Sequence, residues 1–331
     1  MRDLTIVLSI DTEEDNWTPT RTGLSVKNVA ALSNAASFMR RLGARPTFLA
    51  THAVITDPAG ADVLRSLVAE DTEVGAHLHA WNTPPYGNRA GEAEIALGRL
   101  PPAVQQAKLE TLTEGLTRVT GRPPTSFRGR FGMWPETAAL LAQSGYEVDT
   151  TVAPCVDWRR EGGSDFRDAT PAIYRFDPSD PATPNNDGQL TEVPMSWGFN
   201  RIPMARWRRW HAALGGAPWR QLRLRGLMAR TGLLRRISLN PERTSRRDMV
   251  ALGHALLAED VGHLHLVWHS LSHTAGTGPF VRTSADVSRL YARIETVLEA
   301  MAKLASLRFA TVTEAARAMV PEPGGAQGGQ S

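Results

Sequence analysis

Cysteine is nearly absent from this sequence of 331 residues. The single thiol, Cys155, excludes an internal disulfide framework and any zinc cluster built on several cysteines. Lysine is almost as scarce: Lys27, Lys108 and Lys303 are the three in the chain, so arginine carries nearly all of the positive charge. No run approaches the roughly 18–20 apolar residues that a bilayer-spanning helix needs, which excludes a transmembrane helix. The opening residues, MRDLTIVLSIDTEED, hold one arginine, a short apolar run and then four acids in five positions. A secretory signal needs a longer apolar stretch and a small-residue cleavage site, so the expected localisation is cytoplasmic.

What is present fits a globular chain. Hydrophobic residues make up 42% and charged residues 21%, which argues against bulk disorder, and the length allows one large domain or two modest ones. The formal net charge of +3 is unevenly spread: Arg201 to Arg247 holds thirteen arginines, with Glu242 and Asp248 the nearest acids. Such a run suits an anionic partner, but the commoner outcome for this pattern is a solvated helix face.

Along the chain, short apolar runs alternate with segments of helical spacing. Strands are predicted at 4–10, 46–51, 73–79, 125–132 (running into a loop), 146–152 and 263–269, with a further strand at LRFATV. Helices are predicted from Ser25 to Gly43, over ADVLRSLVAED, from about Pro101 to Thr120, over PETAALLAQSG, near 246–258 and near 284–304. A Pro/Gly-rich loop follows the third strand, and a short last helix closes the ordered part. The rhythm breaks between about 157 and 245, where loops and short strands lead into an Arg/Trp-rich helical stretch at 203–237. Because the alternation then resumes, this segment is expected to be an insertion within a single α/β domain spanning 1–320, with 321–331 a disordered tail.

The chemistry gathers at strand ends, where parallel α/β folds place their sites. SIDTEED puts Asp11, Glu13 and Asp15 two apart, on one strand face, with Glu14 opposite. Crowded carboxylates there call for a cation or an arginine. EVGAHLHAW places His77 and His79 two apart, a spacing that lets both imidazoles reach one ion and leaves a position open for water. FRGRFG supplies Arg128, suited to pair with an acid, and Arg130, which can share that role or touch substrate. Asp149 lies near the end of its strand, and His269 ends an apolar strand where an acid or base would stand. His263, His265 and His273 are expected to be structural.

The ordered set SIDTEED, EVGAHLHAW, FRGRFG, EVDTTV and LVWHS resembles the five motifs of the polysaccharide deacetylase family, the NodB-homology domain of carbohydrate esterase family 4. The resemblance covers roughly residues 4–320 and is nearest to a WalW-like branch linked to lipopolysaccharide and other surface-glycan biosynthesis. It implies a distorted (β/α)7 barrel, into which the Arg/Trp-rich segment is inserted, and a hydrolase that removes the N-acetyl group of an amino sugar with one divalent metal ion, zinc foremost. By this likeness Asp11 is the general base and Arg128 its partner, Asp149 supports the catalytic histidine, and His269 is the general acid. The family's adjacent Asp-Asp is absent, because Thr12 follows Asp11, so Glu13 is the expected metal carboxylate, with Glu14 and Asp15 as alternatives. The family's second motif has histidines four apart; Trp81 stands at that position here, so His79 is expected to join His77 on the metal. Trp81, Arg130 and Trp134 are the expected substrate contacts. The substrate is expected to be an N-acetylated sugar of a glycan or lipid-linked precursor. Two other readings stay open: hydrolysis of a different amide or ester, and a weak or inactive sugar-binding homologue. No nucleic-acid partner is expected. Trp207, Trp210 and Trp219, interleaved with arginines, suggest either a hairpin packed on the barrel or peripheral contact with a membrane surface.

Overall fold

The run DLTIVLSIDT, rich in β-branched and aliphatic residues, forms β1 (Asp3–Thr12). It is followed by α1 (Leu32–Arg41), β2 (Thr47–Ala50), α2 (His52–Thr56), α3 (Pro58–Ala69) and β3 (Glu73–Leu78). Next come α4 (Pro102–Thr120), β4 (Ser126–Gly129), α5 (Pro135–Gln143) and a very short β5 (Val148–Asp149). The middle of the chain forms β6 (Tyr174–Phe176), β7 (Leu190–Glu192), β8 (Trp197–Phe199), α6 (Met204–Ala213), α7 (Leu224–Thr231) and β9 (Arg236–Ser238). The last third returns to regular alternation with α8 (Arg246–Ala258), β10 (His263–His269), α9 (Ser284–Ala302), β11 (Ser306–Ala310) and α10 (Val312–Met319). These elements come from a computed structural model, which describes residues 2–17, 22–87, 96–216, 219 and 221–319. The tail expected to be disordered, 321–331, lies outside the described residues, as does part of the loop after β3.

Local chemistry marks the helix ends. Pro102 opens α4 and Gly121, at φ 77, closes it in a left-handed conformation that carries no penalty for glycine. Thr283 and Asp286 make a reciprocal capping box at the start of α9.

Seven parallel strands run in the order β10-β1-β2-β3-β4-β5-β7, with β6 antiparallel at the outer edge and β11 beside the start of β1. The sheet curls into an open barrel of the distorted (β/α) kind expected from the sequence. The gap between β7 and β10 is filled by irregular chain: Ser196 N–H donates to His265 O (3.3 Å), and Val267 N–H to Leu239 O (3.1 Å). Strands β8 and β9 form a separate antiparallel pair. Part of the segment read as inserted, 157–245, therefore belongs to the sheet, since β7 pairs with β5. The expected strand at 146–152 contracts to two residues, and the end of the Arg/Trp-rich stretch is β9 rather than helix.

The period-two rule sorts each strand. Leu4, Ile6, Leu8 and Ile10 of β1 enter the main core beneath the helices, whereas Val7 joins Val148 and Val193 inside the barrel. Val312, Ala315 and Ala316 of α10 plug that interior from the end where the strands begin. Above this apolar floor the lumen turns polar. Arg128, almost fully buried, donates from Nη2 to Ser9 Oγ (2.8 Å) and from Nε to Thr150 O (3.0 Å), and Ser9 Oγ meets His265 Nε2 at 2.7 Å. The next step up the same faces is the candidate site.

Candidate active site

Strand register assembles the site. Asp11 stands opposite His269 across the β1–β10 ladder, and His77 opposite Arg128 across β3–β4. One cavity of about 370 Å³ opens over the C-terminal ends of these strands, within the range of small-molecule sites.

Arg128 Nη1 donates to Asp11 Oδ1 at 2.5 Å. Burial by itself would raise the Asp11 carboxyl, but Arg128, with His77 and His269 nearby, holds it at about 2, so Asp11 is ionised at neutral pH. On its other side, His269 Nε2 lies 4.0 Å from Asp11 Oδ2.

Glu13, His77 and His79 form a buried triad whose ligand atoms lie within 4.8 Å of one another. His79 Nε2 is 3.2 Å and His77 Nε2 is 3.9 Å from Glu13 Oε2. The opposite nitrogens are anchored. His77 Nδ1 donates to Arg128 O (3.0 Å), and His79 Nδ1 to Glu14 Oε1 (3.0 Å). Both rings therefore turn Nε2 toward the same carboxylate, the orientation a metal ligand needs, while Glu14 and Glu13 raise His79 against its burial so that a cation would displace its proton. Burial lowers His77 to about 4, so it is neutral and able to ligate. The residues thus fit a divalent cation bound by two imidazoles and a carboxylate, a set that suits zinc and similar ions.

The three candidate carboxylates separate cleanly. Glu14 supports His79 and is itself held by Asn82 Nδ2 (2.7 Å), and Asp15 turns away to accept from Lys27 N–H and Asn28. Strand β1 ends at Thr12, so the alternation expected through Asp15 stops before it.

The expected place of Asp149 beside His269 is taken by another residue. Glu242 Oε2 accepts from His269 Nδ1 at 2.8 Å, and Glu242 Oε1 accepts from His269 N–H (3.0 Å) and Ser272 Oγ (2.5 Å). Burial would lower His269, yet Glu242 first, then Glu13 and Asp11, raise it to about 9. Strand parity explains the correction. Val148 and Thr150 face the lumen, so Asp149 between them faces outward, where it meets Thr151 Oγ1 (2.6 Å) and pairs in register with Glu192. Burial raises both carboxyls, and Asp149 raises Glu192 further.

Two expected substrate contacts also sit elsewhere. The cavity lining does not include Trp81, whose ring stacks on His79 at 4.1 Å, or Trp134, whose ring is seated against Gly98. Trp158 and Trp197 line the cavity in their stead, 6.2 Å apart and edge to face. Arg130 does line it, with its guanidinium 4.5 Å from the Trp81 ring and 4.7 Å from that of Phe131. Phe131 itself lies at φ 63, a strained conformation for a bulky residue that aims its ring at Trp158.

Glu242 escaped the motif reading because it comes from the loop after β9, in a stretch where the sequence pattern predicts helix and no strand end. Its signal is its isolation, the one acid within the thirteen-arginine stretch. Asn240 shapes that loop by accepting from the N–H groups of Glu242 (2.9 Å) and Arg243 (3.1 Å), an Asx turn that aims the carboxylate at His269. His265 joins the polar layer, while His263 Nε2 donates to Pro194 O and His273 accepts from Trp268 Nε1.

No family model and no curated protein matches the chain. Solved structures do share its fold. A candidate polysaccharide deacetylase from Mycobacterium smegmatis aligns over 95% of this chain and 89% of its own, with 15% identity and a TM-score of 0.52. A candidate glycoside hydrolase/deacetylase from Parabacteroides distasonis aligns over 95% of this chain and 70% of its own, with 13% identity and a TM-score of 0.57. At such identities the likeness is one of fold.

Proposed function

We propose that the chain is a metal-dependent hydrolase that removes the N-acetyl group from an amino sugar of a glycan or lipid-linked glycan precursor, of the kind used for lipopolysaccharide and other surface glycans. One observation carries the reading: the Glu13–His77–His79 triad, the Asp11–Arg128 pair and His269, held from behind by Glu242, face one cavity at the strand ends. Glu13, His77 and His79 would hold the cation, zinc being our assignment, and the cation would supply Lewis-acid polarisation of the amide carbonyl and an acidified water.

The remaining work belongs to side chains. Asp11, kept ionised by Arg128, takes a proton from the water as it attacks the carbonyl carbon. His269, protonated at neutral pH, donates from Nε2 to the departing amine while its Nδ1 stays bonded to Glu242. The C–N bond breaks, leaving acetate and a free amino sugar. Arg130 contacts the polar edge of the sugar, and Trp158 and Trp197 offer ring faces for stacking. In this scheme Asp149 has no step, and Trp81 and Trp134 act as packing rather than as substrate contacts.

The test is metal content of the purified protein, wild type beside His79→Ala, with acetate release from N-acetylated amino sugars measured on the same samples. Near-stoichiometric divalent ion in the wild type, lost in the variant together with acetate release, supports the reading. A wild type that neither holds nor takes up any divalent ion overturns it, and a sugar-binding homologue without catalysis is then the better account.

A further inference from the structure

The stretch from Arg201 to Leu233 contains eight arginines and no aspartate or glutamate. It also holds six of the eight most exposed large apolar side chains among the described residues: Ile202, Trp210, Trp219, Leu222, Leu227 and Leu233. Solvated charge runs do not combine with exposed tryptophan and leucine in this way, because that apolar area has no reason to face water.

The two helices divide by face. On α6, Met204 and Leu214 are buried and Trp207 is half-buried, whereas Arg206, Arg209 and Trp210 are exposed. Arg206 lies four residues before Trp210, so both share one outer face. On α7, Met228 packs inward with Trp207 against Phe199 and Leu234, while Arg223, Leu227 and Arg230 are exposed at spacings of four and three. Both helices therefore turn one apolar side toward the body of the protein, buried on α6 and half-buried on α7, and leave an apolar side chain outside among cations. None of Arg206, Arg209, Arg223 and Arg230 has an acidic partner among the described residues, unlike Arg208, which pairs with Asp168 at 3.2 Å. The helices are too short to span a bilayer, and no helix among the described residues is long and apolar enough to cross one.

We infer that the outer face of the α6–α7 unit docks on the surface of an anionic lipid bilayer, with Trp210, Leu222 and Leu227 entering the headgroup boundary and the unpaired arginines meeting lipid phosphates. Charge complementarity selects this occupant: a segment without acids, bearing exposed tryptophan and leucine among cations, matches an interface that is negative outside and apolar beneath. The unit is tied to the cavity, since β8 leads into α6 and carries Trp197, which lines the cavity. The inference goes beyond the hydrolase reading and stands without it.

The experiment is co-sedimentation of the full chain with vesicles of phosphatidylcholine alone and of phosphatidylcholine with phosphatidylglycerol, at low and high salt. The expected result is binding to the anionic vesicles that weakens as salt rises. Trp210→Ser/Leu227→Ser is expected to weaken binding about tenfold or more. Arg209→Gln/Arg223→Gln/Arg230→Gln is expected to weaken it by at least as much and to flatten the salt dependence. Circular dichroism and metal content, unchanged in both variants, show that folding and the cavity are intact. Absence of wild-type binding to anionic vesicles at low salt overturns the inference. So does equal binding by wild type and both variants. Loss in the variants of self-association, or of nucleic-acid binding, with vesicle binding unaltered also overturns it and assigns the face to that other partner.

Discussion

Replacing Glu242 by glutamine removes one charge and little else. The glutamine carbonyl still accepts from His269 N–H and Ser272 Oγ, as Glu242 Oε1 does now. At the other position an amide nitrogen replaces the oxygen that accepts from His269 Nδ1 at 2.8 Å, so a donor faces a donor and the imidazolium loses its charged acceptor. His269 stands at about 9 against an ordinary 6.5, equivalent to roughly 3 kcal/mol in favour of the imidazolium, and Glu242 is the largest of the groups that raise it. Its loss should bring the ring down by on the order of 1–2 pH units, to about 7–8, so turnover should fall by no more than about twofold at pH 7 and by about 2–10-fold at pH 8. The direct assay is NMR titration of the His269 ring in wild type and Glu242→Gln, both freed of divalent ions, because a nearby cation would offset the carboxylates. In active protein the basic limb of the kcat/KM profile should move down with the ring. A His269 that titrates at the same pH in both proteins would refute the assignment of Glu242 as its charge partner, whatever happens to activity.

Two further outcomes follow from buried charge. Burial raises the folded-state pKa of both Asp149 and Glu192, and Asp149 raises Glu192 further, so the folded protein keeps a proton that the unfolded chain releases above the ordinary carboxylate range. Their contribution to stability is full at acid pH and is lost as pH rises through the raised Glu192 value. Glu192→Gln supplies a donor toward Asp149 without that proton, so between pH 5 and 8 it should gain on the order of 1 kcal/mol relative to wild type in urea unfolding; parallel pH profiles would sink the idea. Lys108 is fully buried and donates from Nζ to the carbonyls of Ala80 (2.8 Å), Thr83 (2.5 Å) and Pro85 (2.7 Å). Lys108→Met should cost about 3 kcal/mol or more, with faster amide exchange at Asn82 and Thr83 as the local readout; a loss under about 1 kcal/mol would mean that water or a rearranged loop satisfies those carbonyls.

How much of this the sequence could disclose depended on how local each signal was. Strands, helices and the residues at strand ends were legible because period two and period 3.6 act over a few positions, and β1, β3, β4 and β10 lie where those patterns place them. The support of His269 that the family resemblance assigns to Asp149 conflicts with strand parity, because the lumen-facing Val148 beside it fixes Asp149 on the outer face. Glu242 obeys no period. It reaches His269 through an Asx turn at Asn240 and through Arg293 of α9, which donates to Pro241 O at 2.7 Å, and such a loop is set by tertiary packing. Trp81 and Trp134 drew notice as aromatics beside motifs, yet their rings fill space behind the site. Trp158 and Trp197, from the segment that looked inserted, do the lining.

The pairing of β1 also carries a consequence for the order of synthesis. Its neighbours on the ribosome's timetable are very unequal: β2 emerges within some tens of residues, whereas β10 and β11, which cover the opposite edge and the first half of the near one, come from the last third of the chain. Until His263–His269 has been made, a ten-residue strand of mostly buried side chains has an unpaired edge, the kind of surface on which nascent chains pair wrongly or recruit chaperones. Asp11 waits equally long for His269. A chain halted before residue 263 would therefore hold Asp11, Arg128 and both imidazoles of the triad without His269, the acid of the proposed scheme.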